Sequence, residues 1–440
     1  MRGVVDLLSE LVRVRSVSGP ELGLRVGRGE ALEVLGLLRS YTDLPLEVTE
    51  APGQVLLARL GSGRPVSLYM AHFDVVPPGP GWSREPFEPV VEGGRLYGRG
   101  AADDKGNVAA IAIALRGFEP GRGTLLVAFT GDEEVGGSGG AGWLAGRLRA
   151  WGLWPDYVVN GDGAFSRVIV RRRSVFRARL RVEASRVEGE GRSFRLGFRL
   201  EVRGRDTRHA AYFIPGVDSH PLLEASAVVR ARGYGVSGVW GEWVKGNVLP
   251  ASVVVEVVEP CGGCGRAVWD EGLTAAVGSL IPLTRPPLRV ELVSEYGVTA
   301  TPNVYRVEGG WHVFDIDLRA MTMDRGAVEE ALARVLEEVM PRGLGWELEV
   351  SGGQGYLYTP RGAPLVELAL RVNRGLGLSG EPMEAAGASD SRYFSPHGSQ
   401  AIDYGPLGGG VHGPDEYVEL DALGKAVEFY RRVAEALHGG

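Results

Sequence analysis

Residues 124–134 read TLLVAFTGDEE: an apolar run from Thr124 to Thr130 halts at Gly131 and is followed at once by Asp132, Glu133 and Glu134. A short, almost continuous apolar run bounded by turn residues has the pattern of a strand buried on both faces, as in a sheet covered by helices. Two further runs share this grammar: 66–71 leads into His72-Phe73-Asp74, and 157–160 leads into Gly161-Asp162. Between the runs, 106–115 and 137–149 carry helical patterns, so strands and helices alternate as in an α/β fold. In an open α/β sheet the carboxyl ends of the strands border the binding crevice, so acids and imidazoles at three strand ends converge in space.

Working outward from that sheet, the 440 residues exceed what a single core supports, and two domains are expected. Val4, Leu7, Leu8, Leu11 and Val12 fall at helical spacing and predict an amphipathic first helix. From about Ser174 the texture changes to long stretches in which Arg and apolar residues take turns, the mark of half-exposed antiparallel strands. Strand, helix and strand are then predicted at 312–319, 326–340 and 346–350, an α+β set. Helical periodicity of the first type returns at 364–375 and 423–437. The expected organisation is an α/β domain in two parts, 1–172 and 353–440, split by an α+β insert at 173–352.

A net charge of −7 supplies no field that would draw nucleic acid or anionic lipid, and no apolar run reaches the length of a membrane span. Asp6, Glu10, Arg13 and Arg15 interrupt the apolar residues of the N-terminal stretch, so no signal-peptide core is found and a cytoplasmic location is expected. Small molecules are the expected partners. The only cysteines, Cys261 and Cys264, fit a redox pair, half a zinc site or a local disulfide; with no thioredoxin-like pattern around them, a structural or incidental role is expected.

Chemistry concentrates on a few positions. His72, Glu134 and Asp162 stand at strand ends, Asp103 follows the Gly98-Arg99-Gly100-Ala101-Ala102 turn, and His412 lies in a Gly-rich loop. Two imidazoles and three carboxylates suit zinc, cobalt or manganese. One ion needs about four ligands, so five donors point to two ions about 3.5–4 Å apart that share a bridging carboxylate. Asp74 is placed to accept the other imidazole N–H of His72 and fix its tautomer. Of the adjacent acids Glu133 and Glu134, one can ligate and the other can move a proton. Each motif alone has a bland reading: a helix start at Asp103-Asp104, a solvated face at Glu133-Glu134, a hydrogen-bonding loop residue at His412. The combination in this order argues against them.

The ordered set His72-x-Asp74, Gly98 to Gly106, Asp132-Glu133-Glu134, Asp162 and His412 resembles the M20 metallopeptidase family, which includes acetylornithine deacetylase, succinyl-diaminopimelate desuccinylase, aminoacylase and glutamate carboxypeptidase. The resemblance covers nearly the whole chain. It implies a zinc-peptidase-like α/β catalytic domain and makes the insert a ferredoxin-like lid that also forms a homodimer. It further implies two Zn2+ ions, with Co2+ or Mn2+ as alternatives: Asp103 bridges, His72 and Asp162 complete one site, and Glu134 and His412 complete the other. Glu133 becomes the general base, the peptide after Asp103 is expected to be cis, and Glu416 has a supporting place. In Gly204-Arg205-Asp206-Thr207-Arg208-His209, His209 matches a family histidine that reaches the oxyanion from the neighbouring subunit. Asn303, Arg319 and Arg392 resemble positions that bind or line the substrate carboxylate site. The lid exceeds the family pattern by an added strand pair between Val175 and Val202, and the Cys261 turn matches no family motif.

The resulting expectation is hydrolysis of an amide beside a free carboxylate, in an N-acyl amino acid or a short peptide. A deacylase of amino-acid biosynthesis and a dipeptidase or carboxypeptidase would use the same centre. The stretch from His72 to Gly79 and that from Tyr97 to Gly106 resemble the deacetylase and desuccinylase branch. Arg171, Arg172 and Arg173 fit either attraction of a succinyl-type acid or a solvated hinge, with the hinge preferred. A non-catalytic scaffold would be expected to lack part of the acid/base set, and a two-metal phosphoesterase would call for more histidines and phosphate-clamping loops.

Overall fold

The computed structural model of the chain describes residues 2–19, 23–203 and 208–439. It forms two compact units, residues 1–172 with 356–440 and residues 173–355. In the first unit the apolar runs become strands Val66–His72, Gly123–Thr130 and Tyr157–Asn160, the first two buried at every position. Nine strands form its main sheet among the described residues. Four adjacent strands in it run parallel, in the order Gly123–Thr130, Val66–His72, Tyr157–Asn160 and Gln400–Asp403. Their carboxyl ends therefore open on one side. Helix Lys105–Ala114 is buried along nearly its whole length, as its apolar sequence requires. The first helix, Arg2–Arg13, buries Val4, Leu7, Leu8, Leu11 and Val12, and Leu420–His438 joins the same core. A small antiparallel sheet of Val90–Glu92, Arg95–Tyr97, Tyr417–Glu419 and Gly408–Gly409 ties the loop of His412 to the turn that follows Tyr97.

The second unit is built on strands Ser174–Glu183, Thr299–Glu308, Trp311–Ala320 and Trp346–Gly352. In chain order these lie 2-3-1-4 across an antiparallel sheet, with helices Glu271–Leu283 and Arg325–Val339 before the second and fourth strands, a ferredoxin-like βαββαβ arrangement. The alternation read from the sequence has its physical counterpart here. Phe176, Ala178, Leu180 and Val182 face the core, while Arg179 and Arg181 pair across the outer face with Asp315 at 2.9 Å and Glu347 at 2.5 Å. The expected extra strand pair is corrected. Ser174–Glu183 and Arg186–Arg199 do not pair with each other; the second belongs to a closed four-stranded barrel with Ser252–Pro260, Gly235–Gly241 and Arg266–Asp270. Hydrophobic alternation gives strand character but not the partner, and so cannot distinguish a hairpin from two sheets. Cys261 and Cys264 are joined as a local disulfide in the turn between two barrel strands. Among the described residues no helix is long and apolar enough to cross a membrane.

Candidate metal centre

The turn that carries Asp103 is held by a single buried acid. Glu416 accepts the backbone N–H groups of Gly100, Ala102 and Asp103, each at 2.9 Å, and a guanidinium N–H of Arg99. Arg99 and Glu416 are both buried, so each supplies the countercharge that lets the other leave water. The Asp103–Asp104 peptide is cis. The Asp104 carboxylate accepts the backbone N–H of His72 at 3.1 Å and the side-chain amide of Asn107 at 2.6 Å. Burial raises the Asp104 carboxyl to about 7.

Asp103 faces two imidazoles, one with each oxygen. Oδ1 lies 3.0 Å from His72 Nε2, and Oδ2 lies 3.0 Å from His412 Nε2. His412 Nε2 is also 3.1 Å from Glu134 Oε1. Ligand-capable atoms of His72, Asp103 and Glu134 lie within 4.8 Å of one another, as do those of His72, Glu133 and Asp162. The two histidines are presented differently. His72 ends a buried strand and is 2% exposed, whereas His412 sits on a loop with left-handed backbone, φ 60°.

His72 Nδ1 is 3.0 Å from the backbone carbonyl of Asp74, which can only accept, so the neutral ring carries its proton on Nδ1 and turns the Nε2 lone pair inward. The Asp74 carboxylate is 3.4 Å from the same nitrogen. Its closer partners are the backbone N–H groups of Glu133 at 3.1 Å and Glu134 at 3.2 Å. Asp74 thus splints one strand end to the next, and its carbonyl, rather than the carboxylate expected from the sequence, is the nearer acceptor for His72.

Glu133 and Glu134 open the short 3-10 turn Glu133–Val135 and diverge: Glu134 reaches His412, while Glu133 Oε1 lies 3.3 Å from Arg392. Arg392 is also 3.3 Å from Asp390 and is buried. Burial pushes the Glu133 carboxyl up to about 8 against the opposing pull of Arg392. Burial likewise raises Asp162 well above the ordinary range, with Arg172 opposing. For His72 and His412 burial works against protonation. The neighbouring carboxylates win, Asp103 and Asp74 at His72 and Glu134 and Asp103 at His412, and both rings are held well above their ordinary value. The cluster gathers more carboxyl groups than the arginines beside them can pair, so its carboxyls and imidazoles have to hold protons, and a divalent cation can take the place of those protons. Its nitrogen and carboxylate donors suit a pair of zinc-like divalent ions.

In this region the sequence reading misplaces an arginine run and misses one acid. Arg172, taken there as part of a solvated hinge, is buried and donates to the Asp162 carbonyl and to Asp403. Arg173 is fully buried, with a bond of 2.8 Å to the Ala211 carbonyl, and partly exposed Arg171 lies 3.5 Å from buried Glu384, so the expected solvation is corrected for Arg172 and Arg173, on either side of the division between the two units. Asp403 ends the fourth parallel strand, where a short apolar run again leads into an acid.

The remaining expected residues lie in the second unit. Residues 204–207 of the His209 motif fall outside the described residues. His209 Nδ1 accepts the N–H of Ala211 at 3.1 Å, which fixes the proton of the neutral ring on Nε2; the Asn247 side chain lies 3.3 Å from Nε2 and accepts that proton with its amide turned to present the oxygen. Asn247 was also missed; a lone Asn in a loop gives no spacing signal. Asn303 is fully buried, 3.2 Å from His220 Nε2, and donates to the Gly246 carbonyl at 2.6 Å. Arg319 pairs with Asp317 through Nε at 2.8 Å and a terminal nitrogen at 3.2 Å, and both residues are buried.

Comparison with known proteins bears on the whole chain. The model of "Peptidase family M20/M25/M40" matches residues 68–436. Succinyl-diaminopimelate desuccinylase of Stenotrophomonas maltophilia is 27% identical, covering 99% of this chain and 100% of its own. The protein of that name from Bordetella parapertussis is 28% identical over 99% and 98%. Among solved structures, aminoacylhistidine dipeptidase from Vibrio alginolyticus superposes with a TM-score of 0.70 at 15% identity, covering 99% of this chain and 96% of that one. An M20 family metallo-carboxypeptidase from Sulfolobus solfataricus gives 0.63 at 15%, with 99% of each chain covered.

Proposed function

This chain belongs to peptidase family M20/M25/M40, and from that premise we propose that it is a two-metal amidohydrolase that cleaves the amide bond of N-acyl amino acids, with N-succinyl substrates first among them. The observation that carries the reading is Asp103, which offers one oxygen towards His72 and the other towards His412, while Glu133 and Asp162 group with His72. In this reading Asp103 would be shared by the two ions, His72 and Asp162 would hold one, and Glu134 and His412 would hold the other. Zinc fits the donor set, and so do cobalt and manganese. When bound, the ions supply Lewis acidity to the scissile carbonyl and lower the pKa of the attacking water.

The chain's own residues do the rest. Glu133 takes the proton of the attacking water at a carboxylate oxygen and returns it to the leaving nitrogen. Asp74 sets the direction of both the base and Glu134 through their backbone N–H groups. His209, with its proton on Nε2, is a donor for the developing oxyanion. Arg392, Asn303 and Arg319 are proposed carboxylate-site residues, on the resemblance alone. By the same resemblance the inserted unit is the lid and the homodimer element. The names of the full-length relatives support the desuccinylase branch.

The test is Glu133→Gln in protein reconstituted with metal. Turnover of an N-succinyl or N-acetyl amino acid is expected to fall by about 10²–10⁴-fold, the usual size of a lost general base, with bound metal unchanged. Undiminished turnover removes Glu133 from the mechanism. A panel that adds dipeptides separates the deacylase from a dipeptidase, and cleavage of no member defeats the enzyme reading.

A further inference from the structure

Four parallel strands end at the centre, and three of them supply His72, the Glu133–Glu134 turn and Asp162. The fourth ends in Asp403, which is fully buried and has its carboxylate divided between two sets of donors. Oδ2 accepts Nε of Arg172 at 2.5 Å. The same guanidinium donates to the backbone carbonyl of Asp162 and lies 3.4 Å from its Oδ1. Oδ1 of Asp403 accepts the hydroxyl of Ser391 at 2.5 Å and the side-chain amide of Asn160 at 3.3 Å. Ser391 belongs to the 3-10 turn Asp390–Tyr393, which presents Arg392 to Glu133 at 3.3 Å.

We propose that Asp403 is a positioning residue with two branches: through Arg172 it sets the metal-facing geometry of Asp162, and through Ser391 it sets the turn that aligns Arg392 with Glu133. The proposal rests on the functional reading above. Its physical basis is the fixed fork of the guanidinium, which can hold Asp403 with Nε and Asp162 with a terminal nitrogen only when both acids are in register. A buried carboxylate with three side-chain donors is costly unless all of them are present, so the hub has one arrangement. Asp403 lies under both a ligand and the base while being neither.

Three variants separate the branches: Arg172→Lys, Ser391→Ala and Asp403→Asn, each checked for folding by thermal unfolding. Cobalt(II) titration followed by visible absorption reads the two metal equivalents, and kcat and KM are measured on the amide that the wild type cleaves. Arg172→Lys keeps the charge and loses the fork, and is expected to weaken one cobalt equivalent by about 10–100-fold, as loss of a ligand's supporting partner does. Ser391→Ala is expected to keep both equivalents and lower kcat by roughly 10-fold with KM unchanged, the effect of a slightly misplaced base. Asp403→Asn should show both defects. Wild-type cobalt affinity in Arg172→Lys overturns the first branch. Parallel loss of metal and turnover in both single variants overturns the two-branch scheme in favour of a general structural role. If Asp403→Asn does not fold, the two single variants still decide. If the wild type cleaves neither acyl amino acids nor dipeptides, the functional reading fails, and the cobalt titrations still decide the Asp162 branch.

Discussion

Buried polar groups in the two units are arranged on opposite principles. In the first unit Asp103, Glu133, Glu134 and Asp162 gather around His72 and His412, more acids than Arg172 and Arg392 can pair, so that both imidazoles are held well above their ordinary value. In the second unit the buried polar groups close on one another. Arg319 takes Asp317, and His220 takes Asn303; burial lowers the His220 ring to about 4. One residue type thus shifts in opposite directions in the same chain. A surplus that protein groups do not cancel calls for a cation, whereas a cancelled set is a frame.

The strongest way to break this contrast is to remove the centre of the surplus. Asp103→Asn keeps the volume and takes away the charge that both histidines face. Bound metal, measured by elemental analysis after dialysis, is expected to fall below one equivalent per chain and turnover to reach background. Two retained equivalents would mean that the acidic cluster is not organised on Asp103.

A second, smaller difference lies within the cluster. His72→Ala takes out a buried ring and leaves the Asp74 carbonyl and one oxygen of Asp103 without this partner, a loss of about 1–3 kcal/mol in metal-free stability. His412→Gly removes a half-exposed ring that pairs with Asp103 and Glu134, but from a left-handed position that glycine accepts readily, so its metal-free loss should be the smaller of the two. Both variants should lose metal. Denaturant unfolding beside metal analysis checks the pair, and equal stability losses would contradict the distinction between strand-borne and loop-borne ligands.

That distinction also explains what could be read in the sequence. His72, Glu133, Glu134 and Asp162 were legible because a buried strand announces its own end, and the sheet then does the placing. The place of His412 depends on Gly-rich loop geometry, which hydropathy does not encode, so only its order in the motif set marked it. The buried arginines were misread for a related reason. A basic run looks solvated until its acids are found, and Arg172 meets Asp403 from 231 residues away. The four-residue run that ends in Asp403 obeys the same grammar as the others but begins with Gln400 and is too short to stand out. In the second unit strand character was legible and sheet membership was not, since alternation is blind to the partner.

The finest test of the contrast is a titration in the frame itself. His220 is depressed from 6.5 to about 4 by burial, with the Asn303 hydrogen bond only partly offsetting it, so the folded protein keeps the ring neutral while the unfolded chain protonates it near 6.5. Below that value the unfolded state binds more protons, and stability falls as pH drops from 6.5 towards 4. Between pH 7 and 5.5 the loss assigned to this one ring is about 1 kcal/mol. Since other groups titrate in the same range, the measurement is a difference: denaturant midpoints of the wild type and of His220→Gln, followed over that interval. The variant should lose less stability on acidification than the wild type. Identical slopes would mean that His220 can take up its proton in the folded state, and that the second unit's polar network is less closed than its hydrogen bonds imply.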